Sequence, residues 1–215
     1  MTNYYLNIIF VNKHLLTHIK MNFTEKQIHI IDTSIELIAE KSIQGFTIKN
    51  LSQKLGVTEG AIYRHFNSKN DILLNILKSF QEECKTLLDN ACKSNLPAMN
   101  DIENIFLHHF EYFKKKPSVA SVIFCEAIFQ NNSLLAKEVY KLLEMHEDAL
   151  LCIIDRGQKS GEFRSGLVIK EQLVRVIIGS IRYTVTKWRL SHYSFDIVDE
   201  GKILLENIQI LLSNN

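Results

Sequence analysis

The sequence has few residues that interrupt regular structure, and it lacks the local patterns of a disulfide framework or a zinc knuckle. Only two of its 215 residues are proline and eight are glycine, so long stretches rich in Leu, Ile, Lys, Glu and Gln run without a break. The four cysteines form no Cys-x-x-Cys pair, which predicts reduced thiols without a disulfide. We therefore expect an all-α protein that buries a sizeable core.

We expect no targeting or membrane-spanning segment in the first twenty residues. The apolar run from Leu6 to Val11 is far shorter than the roughly 20 residues of a membrane-spanning helix. Lys13 and Lys20 follow this run, whereas a signal peptide carries its positive charge before it. We expect a cytoplasmic protein without membrane contact. Met21 directly precedes the first well-formed helix, which suggests that residues 1–21 are an N-terminal extension from a mis-assigned start.

Local spacing argues against an enzyme and against a metal or other cofactor. A Glu-x-x-His pair, a Gly-x-Ser-x-Gly elbow and a Gly-rich phosphate loop are all missing. His14 and His18 have the i, i+4 spacing of metal ligands but lie in the extension. Charge is distributed unevenly, because residues 1–70 hold eight Lys and Arg against five Asp and Glu, while the remainder holds 17 against 19. The positive N-terminal part is a mild indication of a polyanionic partner.

Three helices are predicted in the N-terminal part. Thr24 and Gln27 form a capping box, and the first helix should run to about Lys41 and break at 42–45. Thr47 begins a second helix, Ile48 to Leu55, which Gly56 ends. Thr58 begins a third over Glu59 to Phe66. Two short helices joined by a tight glycine-containing turn indicate a helix-turn-helix, in which the later helix reads DNA.

Six further helices are predicted in the C-terminal part, giving about nine in total. Their predicted ranges are Lys69 to Ala91, Asp101 to Lys115, Pro117 to Phe129, Ser133 to Lys159, Val168 to Leu190 and Asp196 to Leu212. The last two are apolar over so much of their circumference that a monomer would expose part of it to water. We expect them to form a four-helix homodimer interface. The residues predicted for it are Ile177, Ile181, Trp188, Leu204, Ile208 and Leu211.

The run from Thr47 to Phe66, followed by Asn67-Ser68-Lys69, resembles the signature of the TetR family of transcriptional regulators. Its core reads Gly-Val-Thr-Glu-Gly-Ala-Ile-Tyr-Arg-His-Phe-Asn-Ser-Lys, and the likeness extends over residues 23–77. One departure is Ser42, which stands where the family commonly has glycine. The resemblance implies a DNA-binding head over residues 22–82 and an effector-binding and dimerisation body over 83–215. It also implies a homodimer that usually represses from a palindromic operator and releases double-stranded DNA when a small molecule binds.

Several residues of the head are candidates for DNA contact. Those predicted from residue chemistry or from the resemblance are Thr47, Lys49, Thr58, Glu59, Gly60, Ala61, Tyr63, Arg64, His65 and Lys69. Five of them also have a structural alternative: the two threonines cap helices, Gly60 and Ala61 allow close packing, and Glu59 favours a helix N-terminus. Lys54 is equally explained by a solvated helix face.

The body is rich in aromatic residues at helical spacing, which more often form a core than a binding site. The alternative is a largely apolar effector cavity between helices five to eight, in which a His or Tyr orients the ligand. The residues predicted for it are Phe106, His109, Phe110, Phe113, Phe124, Tyr140 and Tyr183. A rival function is an architectural or protein-tethering DNA-binding dimer without an effector, because a fold alone does not establish sensing.

Overall fold

The computed structural model describes residues 23–130, 132–166 and 169–213. Within these ranges the chain is built from nine α-helices, one short 3-10 helix (Glu126–Ile128) and a single isolated bridge between Phe163 and Ser213. The helices are α1 Glu25–Gly45, α2 Ile48–Leu55, α3 Glu59–Tyr63, α4 Lys69–Cys92, α5 Ala98–Lys115, α6 Pro117–Ile123, α7 Ser133–Lys159, α8 Lys170–Leu190 and α9 Ile197–Leu212. The all-α prediction is confirmed. Among the described helices, none has the length and apolar character needed to cross a membrane. The predictions for residues 1–21 lie outside the described ranges.

The helix boundaries of the head follow the predicted caps. Thr24 and Gln27 form the capping box of α1. Gly56 closes α2 in the left-handed conformation, with φ 68° and ψ 29°. The predicted break after Lys41 is present as a kink at Ser42, whose φ of 60° and ψ of 179° lie in a region that favours glycine. The third helix is shorter than predicted and ends at Tyr63, because the chain turns there to bury Phe66.

Helix α4 begins in the head, continues into the body and packs against α1, α5 and α7. The main helix pairs are α4 with α7, α5 with α9, α1 with α6, and α7 with α8. The α1–α6 pair joins the head to the body. One continuous hydrophobic core runs from α1 to α9, with Phe106, Phe110 and Phe113 of α5 at its centre.

The prediction that all four cysteines are reduced is wrong for two of them. Cys92 at the end of α4 and Cys152 in α7 form a disulfide across 60 positions of sequence. Parallel packing of α4 and α7 brings the Cα atoms of Cys92 and Cys152 to 5.7 Å, which sequence spacing could not reveal. Cys84 and Cys125 are free, the first buried and the second half-buried.

The last two helices expose a different face from the one predicted for dimerisation. Ile177, Trp188 and Ile208 are buried in the core of their own chain, while Ile181 and Leu204 are half-buried and Leu211 is exposed. The helices present instead exposed apolar side chains that recur every seven residues: Val176, Tyr183 and Leu190 on α8, and Ile203 and Ile210 on α9. The apolar pattern covers most of the circumference, so periodicity alone could not separate the inward from the outward stripe.

Candidate DNA interface and ligand site

The N-terminal ends of α2 and α3 both lie on the exposed surface of the head. The hydroxyl of Thr47 accepts a hydrogen bond from the Asn50 amide at 3.1 Å, and that of Thr58 accepts one from the Ala61 amide at 3.2 Å. Both threonines are therefore helix caps, which is the structural alternative to DNA contact, and both are also exposed. The caps set where the two helices begin, and both cap residues lie at the surface of the head.

Gly60 lies on the open side of α3. A Cβ atom built at this position would meet nothing nearer than the Thr58 hydroxyl at 4.0 Å, so packing within the chain does not require glycine there. The neighbouring Ala61 is half-buried. At Gly60 and Ala61 the first turn of α3 thus carries very little side chain, so a DNA groove could approach its backbone closely there.

The predicted contact residues fall into two groups. Lys49, Glu59, Tyr63 and Arg64 are exposed on α2, α3 and the turn after it, and His65 is half-buried beside them. Lys69 differs, because its ammonium donates to the Ile43 carbonyl at 3.3 Å and lies over the Phe46 ring. Burial lowers the pKa of Lys69. Its two contacts hold this cation against the end of α1.

Lys54 forms ion pairs inside the head. Its ammonium lies 2.6 Å from Glu40 and 3.4 Å from Glu36, both on α1. The bond to Glu40 raises the pKa of Lys54. Its charge is therefore balanced by two carboxylates, which leaves Lys49 and Arg64 as better candidates for phosphate contact.

Two further basic positions beside α3 were missed by the sequence reasoning. Lys26 and His29 of α1 line a concave surface of about 590 Å³ together with Arg64, His65 and the apolar side of α3, and no carboxylate lines it. Their i, i+3 spacing on the first turns of α1 puts them on one face. The spacing indicates that the two side chains share a face of α1, but only the folded structure shows that this face lies beside Arg64 and His65.

The aromatic residues predicted for the effector cavity do not form one cavity lining. Phe106, Phe110 and Phe113 are packed at the centre of the core, where a Cβ on Gly201 would already lie 2.3 Å from the Phe110 ring. Phe124 is half-buried against Phe113. Tyr140 and Tyr183 are exposed on α7 and α8. Of the predicted set, only the α5 rings, His109 and Phe124 are therefore brought together.

A cleft of about 170 Å³ opens next to these rings, where α1 meets α4, α5 and α6. Its lining is mostly apolar, with Asp32, Ser79 and Lys116 as polar members. Phe80 and Tyr112 line the cleft and also contact each other at 5.6 Å between ring centroids, and Phe80 stacks on Phe113 at 5.8 Å. The cleft is thus separated from the central rings by a single aromatic layer.

His109 belongs to a buried polar cluster that joins three helices. Its Nε2 atom lies 2.9 Å from Nε2 of His146 on α7 and 3.6 Å from Sγ of Cys84 on α4. Burial lowers the pKa of both histidines and raises the pKa of the Cys84 thiol. No local spacing indicated this cluster, since its members lie 25 and 37 positions apart.

Two family models match adjacent parts of the chain. The model described as bacterial regulatory proteins of the tetR family matches residues 30–76. The model described as the C-terminal region of YsiA-like proteins matches residues 77–212. Their junction lies within α4, the helix shared by head and body.

Several known proteins are similar to this chain. The fatty acid metabolism regulator protein of Bacillus subtilis is 28% identical over 182 residues, covering 84% of this chain and 92% of that protein. The crystal structure of the regulator FadR from Bacillus subtilis with stearoyl-CoA matches with a TM-score of 0.75 at 25% identity, covering 86% and 98% of the two chains. The nucleoid occlusion factor SlmA of Haemophilus ducreyi is 24% identical over 126 residues, which cover 58% of this chain and 62% of that protein.

Proposed function

This chain belongs to the TetR family of bacterial transcriptional regulators, and from that premise we propose that its dimer represses transcription from a palindromic operator in the cytoplasm until a largely apolar small molecule releases it. The observation that carries the DNA-binding part is the open first turn of α3 beside exposed Tyr63 and Arg64. Lys26 and Lys49 supply further positive charge around this helix. We assign base reading to α3 and backbone contact to these cations.

The operator is found by recovering fragments of host genomic DNA bound to the dimer and titrating the best fragment in gel shifts at several salt concentrations. With about six phosphate contacts per dimer, the log-log slope of affinity against salt is expected near about −5. Arg64→Ala removes one contact from each protomer, so it should weaken binding and make that slope less negative by about 2. Binding without sequence preference would contradict the proposal.

Lys54→Ala is the matched control for the loss of a head cation. Its charge is already balanced by Glu36 and Glu40, so operator affinity and salt slope should stay close to those of the unmodified protein. A loss as large as that of Arg64→Ala would mean that the affinity follows net charge and that α3 contributes no particular contact.

We assign effector entry to the cleft between α1 and helices α4 to α6. A ligand there would contact the head through α1 and reach the central rings by moving Phe80 and Tyr112. The cleft is smaller than the roughly 300–1,000 Å³ of typical ligand sites, so binding requires this aromatic layer to open. The similarity to a regulator crystallised with stearoyl-CoA supports acyl-CoA thioesters as the first compounds to test.

The effector test measures operator release and thermal stabilisation with acyl-CoA thioesters of increasing chain length. Ser79→Leu fills the cleft and should abolish both effects while leaving DNA binding intact. Lys78→Leu places the same side chain on the neighbouring exposed position and should leave both unchanged. If no thioester or free fatty acid releases the operator, the cleft is not an acyl-ligand site.

A protein-tethering role without an effector is the second candidate. Two observations favour it: the tight packing of the α5 rings and the similarity to nucleoid occlusion factors over part of the chain. It predicts many genomic sites of similar affinity and no release by small molecules. A single strong site next to a controlled gene would refute it.

A further inference from the structure

We propose that Cys84, His109 and His146 form a binding site for one transition-metal ion of the zinc class. The three side chains come from α4, α5 and α7, and their ligand atoms all lie within 4.8 Å of one another. Cys84 and His109 are buried and His146 is half-buried, so the site has one side near solvent through which an ion can enter. A thiol and two imidazoles are the ligand set that Zn²⁺ prefers.

The hydrogen bonds of the two rings determine which nitrogens carry protons. Nδ1 of His109 lies 2.6 Å from the Ile105 carbonyl, and Nδ1 of His146 lies 2.7 Å from the Leu142 carbonyl. Carbonyl oxygens only accept, so both Nδ1 atoms must donate. In the neutral rings both Nε2 atoms therefore present lone pairs, and these face each other at 2.9 Å.

Two facing lone pairs need a cation between them. Protonating one ring would place a positive charge in a buried site, which is costly. A metal ion satisfies both Nε2 atoms and also takes the Cys84 sulfur as thiolate, whose proton leaves to solvent. The thiolate neutralises one of the two positive charges of the ion, and the three coordinate bonds stabilise the charge that remains. The carbonyls of Ile105 and Leu142 then hold the rings in the ligating orientation, as outer partners of metal-bound histidine usually do.

Two of the three distances between ligand atoms are close to those of tetrahedral coordination, and the third, between Cys84 and His146, is at most 4.8 Å. Metal–nitrogen bonds of about 2.0–2.1 Å and a metal–sulfur bond of about 2.3 Å place ligand nitrogens about 3.3 Å apart and nitrogen and sulfur about 3.6 Å apart. The Cys84–His109 separation is 3.6 Å, and the two Nε2 atoms need to separate by only about 0.4 Å from their 2.9 Å. Three protein ligands leave one coordination position for water or a small molecule.

The test uses the tag-free dimer, stripped with a chelator and kept without reductant so that Cys92 and Cys152 stay bonded. Titration with Co²⁺ should give one equivalent per chain, with visible d–d bands of a tetrahedral site and a thiolate-to-cobalt charge-transfer band. Zn²⁺ should displace the cobalt and raise the melting temperature. Elemental analysis of the protein after Zn²⁺ loading and gel filtration measures the stoichiometry independently.

Two ligand variants and two matched controls decide the assignment. Cys84→Ser should remove the charge-transfer band. His146→Asn should weaken Co²⁺ binding by at least about tenfold, because removing even a residue that only hydrogen-bonds to a metal ligand weakens metal binding by about that much. Cys125→Ser and His192→Asn change the same residue types away from the cluster and should bind as the unmodified protein does. His146 is half-buried, so its variant keeps the test valid if Cys84→Ser does not fold. Absence of binding, or binding that both ligand variants retain, would overturn the proposal.

Discussion

Replacing Ser42 by glycine is expected to stabilise the protein. Ser42 has φ 60° and ψ 179°, a conformation that is almost restricted to glycine and costs other residues of order 1–3 kcal/mol. Glycine removes this cost but adds about 0.4–1 kcal/mol of backbone entropy to the unfolded chain. The exposed hydrogen bond from the Ser42 hydroxyl to Gln44 is also lost, at about 0.5 kcal/mol. The balance favours Ser42→Gly by about 1 kcal/mol.

Urea unfolding followed by circular dichroism at one fixed protein concentration measures this difference, because the stability of a dimer depends on concentration. Ser160→Gly is the matched control, since Ser160 is an exposed serine with an ordinary φ of −79° and a hydroxyl bonded to a backbone carbonyl. It should destabilise by about 0.5–1 kcal/mol. If both variants are equally destabilised, Ser42 is not strained and the account of the kink is wrong.

Three further predictions concern the body. Reducing the Cys92–Cys152 disulfide should lower the free energy of unfolding by about 4 kcal/mol, the loop-entropy value for a separation of 60 residues; an unfolding midpoint that does not respond to reductant would refute this. Arg156→Met removes an ion pair with buried Asp101 and hydrogen bonds to two backbone carbonyls, so calorimetry should show a free energy of unfolding lower by about 3 kcal/mol. Lys159→Met, which removes a surface ion pair, should lower it by less than about 1 kcal/mol. Ile203→Glu places a charge on the exposed stripe of α9 and should shift sedimentation towards the monomer, whereas an unchanged dimer would place the interface elsewhere.

Local chemistry made the head predictable from sequence. Threonine caps, a capping box and a left-handed glycine each act within four residues. Thr24, Thr47 and Thr58 therefore predicted the starts of α1, α2 and α3 directly, and Gly56 predicted the end of α2. The end of α3 was misplaced because burial of Phe66 draws the chain out of the helix. Burial of that kind depends on tertiary packing, which the local pattern does not contain.

Features that depend on long-range packing were not predictable. The disulfide and the Cys84–His109–His146 cluster both arise because α4 lies beside α7, and neither leaves a spacing signal. On α8 and α9, apolar residues cover both the inner and outer faces, so the sequence pattern could not show that Ile177 points into the core and Val176 points outward. Lys69 was likewise placed by its neighbours Ile43 and Phe46.

Helix α4 can act as a lever arm between body and head, because one uninterrupted helix belongs to both. Its 24 residues span about 36 Å from Ser68, the cap that follows α3, to the disulfide with α7. If that covalent end acts as the pivot, a tilt of about 3° moves the other end by about 2 Å over this length. Two heads swinging in opposite senses would change their separation by about twice that, against half-sites about 34 Å apart on the duplex. A change in side-chain packing too small to alter any helix would then be enough to put the two heads out of register with their operator.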